Sequence, residues 1–402
     1  MAVKRKYTGD CLDQFVTNAN EVIHLKFVKN EKDIEEDANS FKPEYTHQFF
    51  GDSENIFGYI GLEINLLYSA CRLFPLFQMS YRQMVKPANS GGVEADDVYK
   101  IVCDKLEYDL PTDLDSFVDS LPDESKFKPF GKLLDSFTVN NEEYGVYRAN
   151  KSTPGFIEYH QRMQTLILWL IDAASYIDEE DEKWDYFVLH QHCKDGKEYF
   201  PFVGYATVYQ YYAYPCKLRP RISQMLVLPT FQKKGLGSKL LEAISNCYRK
   251  DTEVVDITVE DPSEEFIRIR DVIDCRNCQS LTSFSRRNLV KGFSKAMAEE
   301  ARKKFKINKK QARRVYEILR LKNTNTNDKK EYKAYRLDVK NRLNIPFQKE
   351  KLDMMKLKRT LTEEEWKAVS DPVPREQRIE QLEHMYNELE EKYKHVIEKL
   401  QS

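Results

Sequence analysis

The sequence predicts an α/β fold: a mixed sheet flanked by helices, with a small α+β domain before it and a helical region after it. Three observations carry this. Between residues 202 and 275 the pattern runs strand, strand, helix, strand, helix, switching between β-branched or aromatic runs and 3.6-residue apolar spacing. The 402 residues, 41% hydrophobic and 32% charged, are enough for several cored domains at roughly 150 residues each. The longest strictly apolar run, residues 166–171, falls far short of the ~20 residues that cross a bilayer.

Each element has its own warrant. Residues 1–130 alternate short apolar runs (21–28 and 59–68) with turn signals at Gly51 and Asp52, at residues 89–92 and at Leu121, Pro122 and Asp123, which predicts the small α+β domain. Residues 131–278 form the central domain. There Met163, Leu166, Ile167, Leu170, Ile171 and Ala174, spaced 3, 1, 3, 1, 3, draw one stripe along one helix. Residues 184–189 and 202–211 read as strands joined across Asp195 and Gly196, and 221–228 as a third. Leu236, Leu240, Leu241 and Ile244 mark a crossover helix, and 254–259 a returning strand. Asp261, Pro262 and Glu264 then suit N-cap, N1 and N3 of the next helix. In 279–345, Asn308 caps a helix with Ala312, Val315, Tyr316 and Leu319 on one face. The charged extension 346–402 carries Ile379, Leu382, Tyr386, Leu389, Tyr393, Val396 and Leu400 at alternating spacings of 3 and 4. That predicts either a short coiled coil or a helix folded onto its own protein.

The net charge of −2 hides an uneven distribution. Residues 1–300 sum to −12, residues 301–360 to +15 and residues 361–402 to −5. Asp172, Asp178, Glu179, Glu180, Asp181, Glu182 and Asp185 face a single Lys183, a field that attracts a cationic partner. The basic stretch reads as a solvated helical face with a role in nuclear import rather than as a nucleic-acid surface. Eight dispersed cysteines in a chain whose start lacks the apolar segment of a secretory signal predict reduced thiols and an intracellular protein. Cys275 and Cys278 form the one CxxC, but no second ligand pair lies near, so they read as free thiols in a helix and no metal is expected. His190, His192 and Cys193 read as a polar hairpin end.

Two features carry chemistry. Gln232, Lys233, Lys234, Gly235, Leu236 and Gly237 stand where a strand gives way to a helix, so backbone N–H groups there can approach an anion closely. The phosphate-loop pattern GxxxxGK[ST] is absent, and the dinucleotide pattern GxGxxG fails at Leu240. Glu260 and Asp261 stand where the next strand leaves the sheet, the usual side for ligands in α/β folds. Capping accounts for Asp261 but not for Glu260. Asp172 follows Ile171 on the striped helix, at its solvent flank or facing the same groove.

The string QxxGxG before an amphipathic helix, after a strand ending QMLVL at Leu228, resembles the coenzyme motif of the GCN5-related N-acetyltransferases. Wider text is more specific: FKPEYTHQ at 41–48, VEADD at 93–97, FKPFG at 127–131, RPR at 219–221, DITVEDPS at 256–263 and ARRVYEILRL at 312–321. Together these are similar to the type B histone acetyltransferase family over roughly residues 20–345. The resemblance implies acetyl-CoA as cosubstrate, with Met225, Leu226 and Val227 pairing to pantetheine and Gln232, Lys233, Lys234, Gly235, Leu236 and Gly237 on the pyrophosphate. It places the general base on Glu260, with Asp261 and Asp172 as auxiliaries, and Asp172 departs from the expected Glu. It implies direct transfer to lysines of the N-terminal tail of free, newly made histone H4, guided by Asp52, Ser53, Glu54, Trp184, Tyr209, Gln210 and Tyr211. It also implies a WD40-repeat histone-binding chaperone partner, residence in nucleus and cytoplasm, and no membrane or direct nucleic-acid binding. The rival readings are a histone-tail binding module without activity and an acetyltransferase for small amines.

Overall fold

The computed structural model describes residues 12–36, 40–87, 92–194, 198–360, 362 and 375–401. Packing divides the chain into two units, Met1–Tyr211 with Arg221–Cys247, and Tyr212–Pro220 with Tyr248–Ser402. Part of the turn at 89–92 and the turn at Asp195 and Gly196 fall outside the described residues.

The described residues form four sheets, two of them two-stranded: Val16–Asn18 with Asn55–Phe57, and Tyr59–Ile60 with Gln83–Met84. Strand Ile23–Val28 buries four of its six residues and pairs in parallel with Glu63–Ser69, register Ile23 to Ile64, while Pro75–Ser80 adds antiparallel on the far side. Helix Val98–Leu106, N-capped by Asp97 accepting from the Lys100 N–H at 3.1 Å, packs on this sheet through Val98, Val102 and Leu106. The six-stranded sheet places Lys132–Val139, Glu142–Asn150, Trp184–His192, Phe202–Ala213 and Lys217–Val227 side by side in chain order, followed by Thr258–Val259. An antiparallel bridge joins Cys193 to Tyr199. One continuous core runs from Ala19 to Leu228 through Tyr68, Phe127, Tyr159, Trp169 and Tyr205, so residues on both sides of position 130 share it.

The striped helix is corrected. Met163, Leu166, Ile167 and Leu170 are buried as the spacing predicts, but the element is two helices, Phe156–Gln164 and Ile167–Leu170. At the break the Thr165 hydroxyl bonds back to the Arg162 carbonyl at 2.7 Å and lies 3.0 Å from the Tyr68 hydroxyl, a local side-chain bond that competes with helix continuation. Ile171 is extended, so Asp172 and Ala174 lie beyond the helix.

The second unit is mostly helical. Leu218 bridges Val254 in parallel, so the crossover returns a parallel strand as predicted, although its regular part is only Thr258–Val259. The predicted cap is corrected: helix Glu264–Gln279 is capped by Ser263, which accepts from the Phe266 N–H at 3.2 Å, while Asp261 adopts φ +28°. Cys275 and Cys278 are free, buried thiols in that helix, and burial pushes both thiols up. Asn308 caps Lys309–Asn323, whose Ala312, Val315, Tyr316 and Leu319 are all buried. The terminal helix Arg375–Gln401 sets Tyr386, Tyr393 and Val396 into the core formed by Val315, Tyr316 and Tyr335, so it folds onto its own unit. The basic stretch is only partly a solvated face. Arg313 and Arg342 converge on buried Glu317, Arg314 on Asp271, and Arg320 on Asp338.

Candidate functional site

Strand Lys217–Val227 alternates cleanly in its second half. Ile222, Gln224 and Leu226 are buried, and Ser223, Met225 and Val227 form the half-buried opposite row. Of the three residues whose backbone is expected to pair with pantetheine, Leu226 turns its side chain into the core. Gly204 on the neighbouring strand permits the approach of the backbones: a Cβ there would lie 2.3 Å from the Leu226 carbonyl oxygen. Sequence reasoning missed Gly204, although a glycine within a β-rich run is a signal of close backbone approach.

The chain then turns through Pro229–Phe231. Gln232 folds back, its Nε2 donating to the Val227 carbonyl at 3.0 Å. Lys233 (φ +61°) and Gly235 (φ +85°) are both left-handed, and the space where a Gly235 Cβ would stand is open. The first bond of helix Leu236–Arg249 runs from the Lys239 N–H to the Gly235 carbonyl at 3.2 Å, and the preceding N–H groups lie ahead of the intrahelical ladder. Lys233 and Lys234 are exposed, with the Lys234 ammonium 5.2 Å from the centre of the Phe231 ring. Left-handed residues, a helix N-terminus and two ammonium groups suit a diphosphate.

The acidic loop, from Asp172 to Lys183 ahead of strand Trp184–His192, belongs to the same unit. Helix His47–Phe50 ties it to the Asp52 turn: His47 Nε2 lies 3.6 Å from the Asp172 carboxylate, and Gln48 Nε2 donates to the Ala174 carbonyl at 3.0 Å. Asp52 and Ser53 are exposed. Glu54 is committed locally; burial would raise its pKa, but the Thr46 N–H and the Asn20 amide more than offset this and hold it below the usual carboxylate range. Trp184 and Tyr209 are cross-strand partners with ring centres 4.9 Å apart, and Tyr211 follows on the same face, 4.6 Å from Tyr209. The Tyr209 hydroxyl donates to Asp181 at 2.7 Å, which raises the tyrosine's pKa; the Lys183 N–H and this hydroxyl lower that of Asp181. The Arg221 guanidinium sits 4.6 Å from the Tyr211 ring centre. Gln210 departs from the row: it donates to buried Asp185 at 2.7 Å, and Asp185 also holds Arg148.

Glu260 and Asp261 belong to the second unit, and both are exposed. The backbone leading to them is fixed: the Ile257 carbonyl accepts from Arg270 at 3.0 Å and Asn308 at 3.1 Å, the Thr258 hydroxyl donates to the Pro220 carbonyl at 3.3 Å, and Asp256 holds Arg219. Ser263 caps the helix, so Asp261 is released from the role that sequence assigned to it. Among the described residues no group of three or more His, Cys, Asp or Glu side chains forms a metal cluster, and no helix is long and apolar enough to cross a membrane.

Residues 15–172 match the family described as the N-terminus of histone acetyl transferase HAT1, residues 144–266 the acetyltransferase (GNAT) family, and residues 270–321 the C-terminal region of the histone acetyltransferase type B catalytic subunit. The chain is 45% identical over 396 residues to the histone acetyltransferase type B catalytic subunit of Mus musculus, covering 97% of this chain and 95% of that one. Against the Homo sapiens protein of the same description identity is 44%, with 97% and 94% covered, and against that of Mycosarcoma maydis it is 32%, with 75% of each covered. A glycine-bearing turn at a strand end, on a mixed sheet flanked by helices, agrees with that likeness, and the chain belongs to the family of histone acetyltransferase type B catalytic subunits, enzymes of the GNAT acyltransferase fold.

Proposed function

We propose that this acetyltransferase moves the acetyl group of acetyl-CoA directly onto lysine side chains in the N-terminal tail of free, newly made histone H4. The observation that carries the reading is the pairing, within one unit, of the turn at Lys233 and Gly235 with an acidic, aromatic strip built from Asp181, Trp184, Tyr209 and Tyr211. The first fits a diphosphate; the second fits a lysine-rich strand, whose ammonium groups meet carboxylates while its aliphatic stems lie on rings.

Acetyl-CoA supplies an activated thioester. The Met225–Val227 backbone aligns the pantetheine and polarises the carbonyl, and Lys233, Lys234 and the adjacent N–H groups hold the diphosphate. A lysine ammonium with pKa ~10.4 must lose its proton first, which costs roughly 4.6 kcal/mol at pH 7. Glu260, exposed after a short strand whose backbone is anchored, serves as the base that accepts this proton, with Asp261 and Asp172 as auxiliaries; the amine nitrogen then bonds the acetyl carbon, the carbon–sulfur bond breaks, and the CoA sulfur leaves as a thiolate that takes up the second proton of the amine. A positioned base is worth ~10²- to 10⁴-fold in rate.

The wider assignment follows the family: a WD40-repeat histone chaperone as partner, nucleus and cytoplasm as location, and free histone rather than nucleosomes or nucleic acid as target. Steady-state assays with acetyl-CoA and an H4 tail peptide, free H4, nucleosomes and spermidine test it. Peptide and free H4 are expected to be acetylated at least tenfold faster than the other two, and Glu260→Gln is expected to lower kcat ~10²-fold or more with KM for acetyl-CoA unchanged. Equal rates on spermidine would move the assignment to small amines.

A further inference from the structure

The inward row of strand Lys217–Val227 reads Ile222, Gln224, Leu226, followed by buried Leu228: three aliphatic residues and one amide. An amide at a core position carries a desolvation cost and requires hydrogen-bond partners. Gln224 has them. Its backbone N–H donates to the Thr207 hydroxyl at 3.2 Å, and that hydroxyl in turn donates to Gln224 Oε1 at 3.3 Å. This reciprocal pair fixes which way the amide points, leaving Nε2 to donate to the Ser175 carbonyl at 2.8 Å. Ser175 lies in the acidic loop, between Asp172 and Asp178, and Met225 is the next residue along the strand.

We infer that Gln224 is a positioning residue that couples the cofactor strand to the loop that meets the lysine substrate. Displacement of the strand at Met225 is transmitted through a buried, singly oriented amide to the backbone between Asp172 and Asp178. Other ties hold the loop to the scaffold: Gln48 at Ala174, Tyr176 to the Leu106 carbonyl, and His160 with Glu179, whose His160 Nδ1 lies 2.5 Å from the carboxylate. Gln224 is distinct among these because it sits on the strand assigned to acetyl-CoA. The inference rests on the substrate and cosubstrate reading proposed above.

Gln224→Leu keeps the volume and removes the amide; Thr207→Val removes the group that orients it, and Thr207→Ser restores that group. In full-length protein, Gln224→Leu is expected to raise KM for the H4 tail peptide at saturating acetyl-CoA about 5- to 10-fold, the loss of one buried hydrogen bond, with binding of acetyl-CoA to the peptide-free enzyme within twofold. Thr207→Val is expected to shift it the same way, and Thr207→Ser to restore it. Amide hydrogen exchange of residues 172–183 supplies a readout that a purely structural role would not move: acetyl-CoA is expected to slow it in the natural protein and to leave it unchanged in Gln224→Leu. An equal weakening of acetyl-CoA binding to the peptide-free enzyme, or a lowered melting temperature with neither affinity changed, overturns the coupling. So does exchange that responds equally to acetyl-CoA in both proteins. If the natural protein fails to acetylate the H4 peptide, the substrate reading falls, while the exchange comparison still decides the link between strand and loop.

Discussion

At the residue scale, side-chain chemistry was legible wherever one residue suffices to make the local structure. Gly235 is the clearest case: φ +85° suits a residue without Cβ, and the empty space around it shows that backbone conformation, not room, demands glycine. Gly235→Ala is therefore expected to cost about 1–2 kcal/mol of local conformational energy. KM for acetyl-CoA should rise several-fold while KM for the peptide stays constant, as read by steady-state kinetics with each substrate varied. Glu54 and Gln210 show the opposite case. Both are polar and near an acidic surface in the sequence, yet Glu54 is spent on Thr46 and Asn20, and Gln210 on Asp185. No spacing rule reveals such commitments, because the partners lie 8 to 34 residues away.

At the element scale, periodicity predicted which residues are buried better than where helices end. The stripe from Met163 to Leu170 is buried, but Thr165 breaks the helix through its hydroxyl, which moves Asp172 off the helical flank and into the acidic loop. The capping reading failed by two residues because Ser263 and Asp261 are both good caps, and the φ of +28° at Asp261 leaves the role to Ser263. Helix Lys309–Asn323 hides a carboxylate, Glu317, that accepts from Arg313, Arg342 and the Tyr393 hydroxyl. Glu317→Ala leaves Arg342 without its carboxylate and Arg313 with Asp338 alone, and is expected to cost about 3 kcal/mol, measurable as a lowered urea midpoint. Deleting residues 375–402 removes Tyr386, Tyr393 and Val396 from the same core. At about 2 kcal/mol per buried side chain the loss is roughly 6 kcal/mol, and limited proteolysis is expected to cut residues 280–345 rapidly while the first unit persists.

At the scale of the whole molecule, the two units respond to pH in opposite senses through their buried ionisable groups. In the first unit, burial lowers the pKa of His190 to about 4 from 6.5. The unfolded chain then binds more protons between those values, so this contribution is present above pH 6.5 and lost as pH falls toward 4. In the second unit, burial raises that of Asp274 to about 6 from 3.8, against the pull of Arg270. Its contribution is full below pH 3.8 and lost as pH rises through 6, a difference of about 3 kcal/mol at most. Asp274→Asn is expected to flatten the second unit's melting temperature between pH 4 and 6, and His190→Gln that of the first between 6.5 and 4. Unit-resolved hydrogen exchange or calorimetry separates them, and an unchanged slope in either variant would refute the assignment for that unit.

The sequence by itself determined the α/β class, the order of strands and helices around the crossover, the glycine-bearing turn from Gln232 to Gly237 and the buried face of the helix at Ala312, because each depends on residues within one or two turns of one another. It also carried the family, through text spread collinearly along the chain. Only the tertiary structure decided that the terminal heptads fold onto their own unit, that four arginines of the basic stretch are held by Glu317, Asp271 and Asp338, and that Gln224 reaches the acidic segment. The physical reason is common to all three. A buried charge or amide takes the identity of its partner from packing between segments tens of residues apart, and neither periodicity nor local propensity encodes that distance.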